Sequence, residues 1–255
     1  MKIILNGACG RMGAAVIEAA KKRGTDITAC VDVRPEGYKG TAPFYKTLEE
    51  IKDPHGVLVD FSNHVSTADI CAFARKHGLP CVIASTGHTE SELAMLRSLA
   101  QTNAVFVSGN MSLGINVLID LCRTAVNAFG GDCDVEIIEK HHRNKLDAPS
   151  GTALMIANGI KPLLPEDTEY VFDRSDRREV RPKNEIGISS VRGGEIFGEH
   201  EVLICRPGET LSIKHTAQDR SLFADGALTA AEFMQGRENG WYTMRELLAE
   251  KANSQ

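Results

Sequence analysis

The chain has 255 residues, a hydrophobic share of 42% and a formal net charge of −5. This length allows one large domain or two small ones, and the negative charge argues against a general nucleic-acid binder, which usually carries a basic face. No apolar run approaches the roughly 18 to 20 residues that span a bilayer, and the N-terminal segment turns too early for a signal peptide. We therefore expect a cytoplasmic protein that binds neither nucleic acid nor membrane.

Seven cysteines are scattered along the chain, and none forms a Cys-x-x-Cys pair. The odd count and the irregular spacing argue against a disulfide framework or a zinc site. Most of these cysteines lie in apolar runs, where a free thiol behaves as a small hydrophobic side chain. We therefore expect structural cysteines and no bound metal.

Short apolar strands alternate with helical patterns in the first half of the chain. The sequence predicts strands at 2–6, 26–32, 57–61, 81–84 and 104–107, and helices at 12–23, at 67–77 and from Thr89 onward. Gly24 and Gly78 follow the first two helices as C-caps, and Thr89-Glu90-Ser91-Glu92 is a capping box. Alternation of this kind is typical of βαβ units, so we expect a doubly wound parallel sheet.

The second half of the chain has a different pattern. The sequence predicts a helix at 116–129, a strand at 135–139, a helix from Ser150 through Ile160, strands near 185–191, 201–205 and 210–215, and a helix at 221–234. Arg206-Pro207-Gly208-Glu209 is a hairpin signal between the last two strands. Such a run of strands predicts an antiparallel or mixed sheet in a second domain, and we expect the last helix to return to the first domain.

A glycine loop, Gly7-Ala8-Cys9-Gly10-Arg11-Met12-Gly13, follows the first strand and opens the first helix. In such a loop the first glycine allows a tight turn, the second lets the backbone approach a pyrophosphate, and the third allows close packing of helix on strand. The helix N-terminus then offers N–H groups to phosphate. Asp32 ends the second strand, where an acidic side chain can hold the ribose 2′-hydroxyl of NAD. The pattern alone is weak, but this context favours dinucleotide binding over an ordinary βα turn.

The choice of cofactor depends on Asp32-Val33-Arg34. Asp32 would repel the 2′-phosphate of NADP, whereas Arg34 could attract it, so our hypothesis is that NAD is used well and NADP is tolerated. Two further loops, Ala84-Ser85-Thr86-Gly87 and Ser108-Gly109-Asn110-Met111-Ser112, follow strands at the edge where doubly wound sheets bind ligands. Their small residues would let a nicotinamide ring or ribose come close, although plain βα loops are an equally open interpretation.

The most unusual segment, Glu139–Ala153, combines two histidines, two lysines and an arginine with a turn into a helix. Histidine is the usual general acid near neutral pH, Lys145 is a cation suited to a carboxylate, and Ser150-Gly151-Thr152 offers the N–H groups of a helix start to a second anion. These features fit a small acidic substrate that takes up a proton. The alternative is a basic surface loop with Asp147 as counter-ion.

The two histidines of this segment follow each other at the end of a strand, so their side chains should point to opposite faces. Only one of them can face the same cavity as Lys145 unless the chain bends. A second charged segment, with Arg192-Gly193-Gly194-Glu195 and Gly198-Glu199-His200, is rich in turn residues. Arg192 or His200 could line the substrate site, and hairpin turns with surface ion pairs are the alternative.

The segment from Glu139 to Ala153 resembles the signature of the 4-hydroxy-tetrahydrodipicolinate (dihydrodipicolinate) reductase family, Glu-x-His-His-x-x-Lys-x-Asp-Ala-Pro-Ser-Gly-Thr-Ala. The glycine loop is similar to that family's Gly-Ala-x-Gly-Arg-Met-Gly, and the resemblance runs from Lys2 to about Gly236. Ala84 and Met111 stand where many members have glycine and phenylalanine.

The resemblance implies an α/β fold with a Rossmann-like dinucleotide-binding domain, residues 1–112 and 221–255, and an α+β domain with a mixed sheet, residues 113–220, for substrate binding and oligomerisation. It implies a homotetramer joined through those sheets. It also implies that NADH or NADPH delivers hydride to C4 of the dihydrodipicolinate ring. The 4-hydroxyl leaves as water, and the product is tetrahydrodipicolinate of lysine and diaminopimelate biosynthesis.

The resemblance also implies roles for single residues. His141 is the general acid that protonates the ring carbon next to the hydride acceptor, and Lys145 is its partner and a carboxylate binder. The implied substrate contacts are His142, Lys145, Gly151 and Thr152. The implied cofactor contacts are Gly7, Ala8, Cys9, Gly10, Arg11, Met12, Asp32, Ala84, Ser85, Thr86, Ser108, Gly109, Asn110, Met111, Arg220 and Phe223.

Two other functions stay open on sequence grounds. Another two-domain NAD(P)-dependent dehydrogenase, acting on a small dicarboxylate or an amino acid, would need the glycine loop but not the His-His-x-x-Lys cluster. A non-catalytic NADH-binding sensor would usually carry a module that binds DNA or a partner protein, and the sequence has no basic recognition helix.

Overall fold

The computed structural model describes residues 1–38 and 40–253, which divide into two compact units. Unit 1 comprises Met1–Leu113 together with the chain from Arg220 onward, and unit 2 comprises Gly114–Asp219. The domain boundaries expected from the family resemblance lie one residue from each of these divisions.

Unit 1 has, within the described residues, a seven-stranded parallel sheet. Numbered along the chain, its strands are β1 (Lys2–Asn6), β2 (Asp26–Val31), β3 (Phe44–Tyr45), β4 (Val57–Asp60), β5 (Cys81–Ile83), β6 (Ala104–Val107) and β12 (Gly240–Tyr242). Their order is β3-β2-β1-β4-β5-β6-β12, which puts the reversal of strand order between β1 and β4. Dinucleotides bind at this reversal in Rossmann-like folds.

The strands of unit 1 are apolar on both faces because helices cover both faces. Ile3 and Leu5 of β1 belong to one core cluster, and Ile4 belongs to a second one, as expected when successive side chains alternate. The helices of this unit are α1 (Arg11–Arg23), α2 (Thr67–His77), α3 (Glu90–Leu99), α6 (Ser221–Phe233) and α7 (Met244–Asn253). Short 3-10 helices occupy Pro35–Gly37, Leu48–Glu50 and His64–Ser66.

Unit 2, all of whose residues are described, has a five-stranded mixed sheet in the order β11-β10-β7-β9-β8. The strands are β7 (Asp134–His141), β8 (Glu169–Val171), β9 (Glu185–Arg192), β10 (Gly198–Arg206) and β11 (Glu209–Ala217). β7 pairs in parallel with β9 and antiparallel with β10, and α4 (Leu113–Ala128) and α5 (Gly151–Ile160) supply apolar side chains to the core on one face. A 3-10 turn, Lys161–Leu163, follows α5.

The predicted fold class, a parallel Rossmann-like sheet with a second mixed sheet, is confirmed. The local signals also hold, since Gly24 and Gly78 adopt left-handed conformations with φ of 65° and 64°, and Thr89 forms the capping box. The short strands β3, β8 and β12 and helix α7 were not predicted. Strands of two or three residues are too short to carry a periodic signal, and their partners in the sheet stabilise them.

Three strands of unit 2, β7, β10 and β11, extend clearly further than their sequence predicts. β7 continues to His141 because Lys140 pairs with Glu199 and His141 pairs with Arg192 on the flanking strands. β10 begins at Gly198, inside the segment that was interpreted as turn-rich. Pairing on both sides therefore overrides the local turn propensity. Among the described residues, none of the helices has the length and apolar character needed to cross a membrane.

Candidate active site

The glycine loop of unit 1 has the conformation that its sequence predicts. Gly7 has a φ of +83°, and a Cβ atom on it would lie 2.7 Å from the backbone of Phe61. A Cβ atom on Gly13 would lie 2.3 Å from the carbonyl oxygen of Gly7. The N-cap residue of α1 is Gly10, which has no side chain that could cap the helix. The backbone N–H groups of the first helical turn therefore have no side-chain cap, and uncapped N–H groups at a helix start are suited to a dinucleotide pyrophosphate.

Asp32 joins the end of β2 to this loop. Its carboxylate accepts a hydrogen bond from the backbone N–H of Cys9 at 2.9 Å and another from that of Arg34 at 3.0 Å. A carboxylate has about four acceptor positions, so these two bonds leave capacity for a ribose hydroxyl. Val33 next to it is 77% exposed. Asp32 thus has a structural role in the loop in addition to the predicted cofactor role.

A buried carboxylate at the end of β4, Asp60, was missed because the stretch 57–61 was predicted only as a strand of the sheet. Asp60 is fully buried and accepts hydrogen bonds from Asn6 Nδ2 at 2.8 Å and from Ser85 Oγ at 2.6 Å. The backbone N–H and hydroxyl of Ser62 donate to it at 3.1 and 2.5 Å. Asp60 therefore joins the ends of β1, β4 and β5, and the hydroxyl of Ser85 is directed to it.

The remaining predicted cofactor residues also lie in unit 1 but differ in exposure. Arg11, Thr86 and Gly109 are exposed, and Met12 and Ala84 are half-buried. Ala8 and Met111 are each 2% exposed, so a cofactor could contact little of either residue. Ser108 and Asn110 are buried in a local turn, and the Ser108 hydroxyl donates to the carbonyl of Asn110 at 2.7 Å. Arg220 directly precedes α6. Phe223 lies in the first turn of α6 and packs against the apolar core of unit 1.

In unit 2, the end of β7 places a histidine against a carboxylate. His141 and Glu139 are two residues apart, so their side chains lie on the same face of the strand. Nδ1 of His141 lies 2.5 Å from Oε2 of Glu139. On the other side of the ring, a Cβ atom on Gly198 would lie 3.2 Å from Nε2 of His141. A side chain at position 198 would therefore crowd this nitrogen, and glycine avoids that contact.

Glu139 is fully buried, and four residues donate hydrogen bonds to its carboxylate. Arg192 binds it with both terminal nitrogens, at 2.8 Å to Oε2 and 2.7 Å to Oε1, and the backbone N–H of Ser150 donates to Oε1 at 3.1 Å. Burial works to raise the pKa of the Glu139 carboxyl, but the hydrogen bonds from His141, Arg192 and Ser190 hold that pKa well below its usual range. Glu139 is therefore an ionised carboxylate inside the protein.

The cations after β7 lie in the loop that leads to α5. Nζ of Lys145 lies 2.8 Å from Oδ1 of Asp147, whose side chain is 58% exposed. Burial raises the pKa of Asp147, but hydrogen bonds from Lys145 and from the Gly151 backbone outweigh it and lower that pKa. The loop thus aims an ammonium group and a helix-start N–H group at one carboxylate. His142 is half-buried outside the strand, and its buried Nδ1 has no hydrogen-bond partner among the described residues.

The side chain of Ser150 connects the start of α5 to β10. Its hydroxyl accepts from the backbone N–H of Ala153 at 3.1 Å and lies 3.0 Å from Nε2 of His200. Burial, with a smaller contribution from His141, lowers the pKa of His200 to about 4. The rings of His200 and His141 meet edge to face, with centroids 5.2 Å apart. His141 therefore has a neutral neighbour at physiological pH.

The low pKa of His200 predicts a pH-dependent stability. Unfolded histidine titrates near 6.5, so between pH 6.5 and 4 the unfolded state binds more protons and the folded state loses stability as pH falls. We expect His200 to contribute about 2 kcal/mol to the loss of unfolding free energy between pH 7.5 and 5. Urea denaturation of wild type and His200→Gln at the two pH values measures this share.

The exposed His55 offers a matched control, because His55→Gln should keep the wild-type pH dependence. His215, whose pKa is also lowered by burial, contributes part of the residual dependence in His200→Gln. An equal pH dependence of wild type and His200→Gln would contradict the prediction.

Several of the predicted residues meet at one end of unit 2, and others do not have the expected surroundings. His141, Lys145 and Gly151 belong to one strand end and the loop and helix that follow it. Arg192 and His200 are not parts of surface turns, since Arg192 binds Glu139 and His200 is 5% exposed. Glu139 was not singled out, although it occupies an inward position of the pattern Val135, Ile137, Glu139. An acidic residue at such a position is the signal that could have revealed it.

The doubly wound sheet with a glycine loop and the strand end carrying a histidine and a lysine are typical of one class of protein, the nicotinamide-dependent oxidoreductases. The family model described as dihydrodipicolinate reductase, N-terminus, matches residues 1–111, and that described as dihydrodipicolinate reductase, C-terminus, matches residues 114–248. The chain belongs to the dihydrodipicolinate reductase family, and it is an NAD(P)H-dependent oxidoreductase.

Comparisons with individual proteins agree with this assignment. The chain is 44% identical to a 4-hydroxy-tetrahydrodipicolinate reductase of Caldanaerobacter subterraneus, over 97% of this chain and 98% of the relative. It is 40% identical to the protein of the same name from Clostridium botulinum, again over 97% and 98%. A dipicolinate-bound dihydrodipicolinate reductase from Paenisporosarcina sp. TG-14 has the same fold, with a TM-score of 0.80 at 23% identity over 95% and 97% of the two chains.

Proposed function

We propose that this enzyme reduces the dihydrodipicolinate ring at C4, with His141 as the proton donor and Lys145 as the cation that binds a substrate carboxylate. The observation that carries the proposal is the end of β7, where one histidine is held by a buried carboxylate next to a lysine and a helix start. A proton donor and two kinds of anion-binding group are what a small dicarboxylate requires when it takes up a proton.

Asp147 supports the assignment of a carboxylate site. Its carboxylate contacts Nζ of Lys145 at 2.8 Å and interacts with the backbone N–H of Gly151. A substrate carboxylate has the same charge and geometry, so it can take over these donors while the largely exposed Asp147 returns to water. The buried Nδ1 of His142 and the first turn of α5 at Thr152 are our candidates for the further polar contacts. The structural relative that carries dipicolinate binds a dicarboxylate of this kind.

The cofactor site that we propose is the edge of the parallel sheet in unit 1. The backbone of Gly7 to Met12 would hold the pyrophosphate, Asp32 the adenosine ribose, and the loops 84–86 and 108–111 the nicotinamide end, with Arg220 and Phe223 at the start of α6. The backbone can form this loop because Gly7 and Gly13 have no Cβ atom, which at either position would clash with neighbouring backbone. When bound, NADH or NADPH supplies the hydride that adds to C4 of the ring.

The 4-hydroxyl of 4-hydroxy-tetrahydrodipicolinate leaves as water together with a ring proton, which gives a conjugated imine. Hydride addition at C4 of this imine then leaves excess electron density on the ring nitrogen and on the carbon next to C4. In our proposal the Nε2–H bond of His141 breaks and a C–H bond forms at that carbon, so that imidazolium becomes neutral imidazole. Lys145 keeps the carboxylate, and therefore the ring, within reach of Nε2. General acid catalysis of this type contributes roughly 10²- to 10⁴-fold to a rate.

The assay that tests the function follows NADH oxidation with freshly prepared 4-hydroxy-tetrahydrodipicolinate as substrate. Turnover at a rate typical of biosynthetic enzymes supports the proposed reaction. Turnover only with another dicarboxylate or an amino acid would favour a different dehydrogenase. Binding of NADH without turnover of any of these substrates would favour a sensor.

The preference between the two cofactors is a separate prediction. Because Asp32 carries a carboxylate where NADP carries its 2′-phosphate, we expect a higher kcat/KM with NADH than with NADPH. Asp32→Asn should lower the ratio of kcat/KM with NADH to kcat/KM with NADPH roughly fivefold. This factor corresponds to about 1 kcal/mol, the repulsion between two like charges a few ångströms apart in water. Steady-state kinetics with both cofactors measure the ratio.

The control for this ratio is Asp26→Asn at the exposed first position of the same strand, which should leave it unchanged. A strong preference of the wild type for NADPH would mean that Arg34, rather than Asp32, decides cofactor choice.

We further propose that the enzyme is a homotetramer joined through the five-stranded sheets and that it acts in the cytoplasm. The outward positions of β7 and β10 include Ile138 and Leu203, which alternate with the core residues and lie outside the apolar cluster of unit 2. Apolar side chains on such a face suit a subunit contact. Sedimentation equilibrium would measure the oligomeric state.

The seven cysteines, all within the described ranges, are free thiols, as expected in a reducing compartment.

A further inference from the structure

The fully buried carboxylate of Glu139 accepts several hydrogen bonds that the formation of strand β7 does not require. Its carboxylate accepts hydrogen bonds from His141, from both terminal nitrogens of Arg192, and from the backbone N–H of Ser150. Burying a charge costs several kcal/mol, and a pair of apolar residues would usually fill such a space with no loss of stability. Networks of this cost are concentrated at functional sites. Glu139 is therefore a candidate for a role in the reaction.

The protonation state of Glu139 decides which nitrogen of His141 carries a proton. An ionised carboxylate can only accept hydrogen bonds, so Nδ1 of His141 must be the donor in the 2.5 Å contact. The other nitrogen, Nε2, faces Gly198, where a Cβ atom would approach it to 3.2 Å. The ring is thus held by a carboxylate at Nδ1, whereas the neighbour of Nε2 on β10 is a residue without a side chain.

We propose that Glu139, held in place by Arg192, is a positioning residue that fixes the ring orientation and tautomer of His141 so that Nε2 delivers the proton to the substrate. When the Nε2–H bond breaks and the C–H bond forms, the other proton stays on Nδ1, in its hydrogen bond to Glu139. The neutral imidazole that remains therefore carries its proton on Nδ1 and has a free lone pair on Nε2. This inference rests on the proposed role of His141, and Glu139 itself does not touch the substrate in it.

Arg192 supplies the rigidity of this arrangement. It lies opposite His141 in the pairing of β7 with β9, and it also donates to the carbonyl of Asp147 at 2.6 Å. One guanidinium therefore joins the carboxylate behind His141 to the loop that carries Lys145. The charged and titratable groups around the His141 ring are Glu139 on its own strand, Arg192 on β9, His200 on β10 and Lys145 in the following loop.

The test is a double-mutant cycle in kcat with Glu139→Gln and His141→Gln, measured with NADH and 4-hydroxy-tetrahydrodipicolinate. We expect Glu139→Gln to lower kcat roughly 10- to 100-fold, the scale for losing a group that orients a catalytic residue, with little change in KM. In the His141→Gln background the same change should have almost no further effect, because residues that act as a unit are not additive. Glu199→Gln on the neighbouring strand is the control and should keep wild-type kcat.

Glu139→Gln leaves Arg192 as an unpaired buried charge and could unfold the protein, so a second variant is needed. Glu139→Gln combined with Arg192→Gln removes both charges and should lower kcat by the same factor in a folded protein. Thermal unfolding verifies the fold of each variant. Wild-type kcat in the folded double variant, or losses that multiply with that of His141→Gln, would overturn the inference. Wild-type kcat in His141→Gln alone would instead overturn the proposed function of His141.

Discussion

Replacing His141 with glutamine is expected to lower kcat roughly 10²-fold, with KM for the substrate little changed. Glutamine can keep a hydrogen bond to Glu139, but it has no proton to give at neutral pH. A 10²-fold loss corresponds to about 2.7 kcal/mol of transition-state stabilisation. Because the proton moves only in the transition state, the loss should be confined to kcat and kcat/KM.

The contrasting variant is Lys145→Gln, which removes a charge that binds the substrate before and during the reaction. If Lys145 acts mainly as a carboxylate binder, this variant should raise KM more than it lowers kcat. Steady-state kinetics of both variants over a range of substrate concentrations separate the two effects. A His141→Gln enzyme with the kcat of the wild type would exclude His141 as the general acid.

Replacing Gly13 with alanine is expected to destabilise unit 1 and to weaken cofactor binding together. The added Cβ atom would lie 2.3 Å from the carbonyl oxygen of Gly7 and 2.5 Å from that of Ala8, and both are backbone atoms with little room to move. Overpacking of this kind costs roughly 1 to 3 kcal/mol. Because the clash is with the loop itself, relief requires a shift of the groups that we propose to hold the pyrophosphate.

Gly10→Ala provides the matched comparison within the same loop. A Cβ atom there would meet only the carbonyl oxygen of Gly7, at 3.3 Å, so the fold should lose little stability. The approach of the pyrophosphate should still be hindered. Thermal unfolding and fluorescence titration with NADH should therefore show both losses in Gly13→Ala but mainly the loss of affinity in Gly10→Ala. Wild-type melting temperature and NADH affinity in Gly13→Ala would contradict the argument.

The local elements were predictable because their signals lie within a few residues of each other. The glycine loop between β1 and α1, the C-caps at Gly24 and Gly78 and the capping box at Thr89 depend on sterics and hydrogen bonds along one stretch of chain. The strand–helix alternation then allowed a doubly wound sheet to be predicted. The short strands were missed because their stability comes from neighbours rather than from their own residues.

The site was predictable in its composition but not in its connections. The sequence showed a histidine, a lysine and a helix start close together, and the family resemblance supplied their expected roles. It did not show that Arg192 is directed to Glu139 or that His200 is buried against Ser150. The glycines at 193 and 194 do lie in a turn, but Arg192 and Gly198 on either side of it belong to paired strands, and sheet pairing buries Gly198.

By itself the sequence determined the class of fold, because this follows from local periodicity and turn chemistry. Its resemblance to known members indicated the family and the side chains that we propose to react. Only the tertiary structure decided which nitrogen of His141 is bound to a carboxylate. That decision depends on hydrogen bonds between residues far apart in the chain, such as Glu139 and Arg192, which are 53 positions apart. Side chains of this kind meet only when β7, β9 and β10 pair in one register.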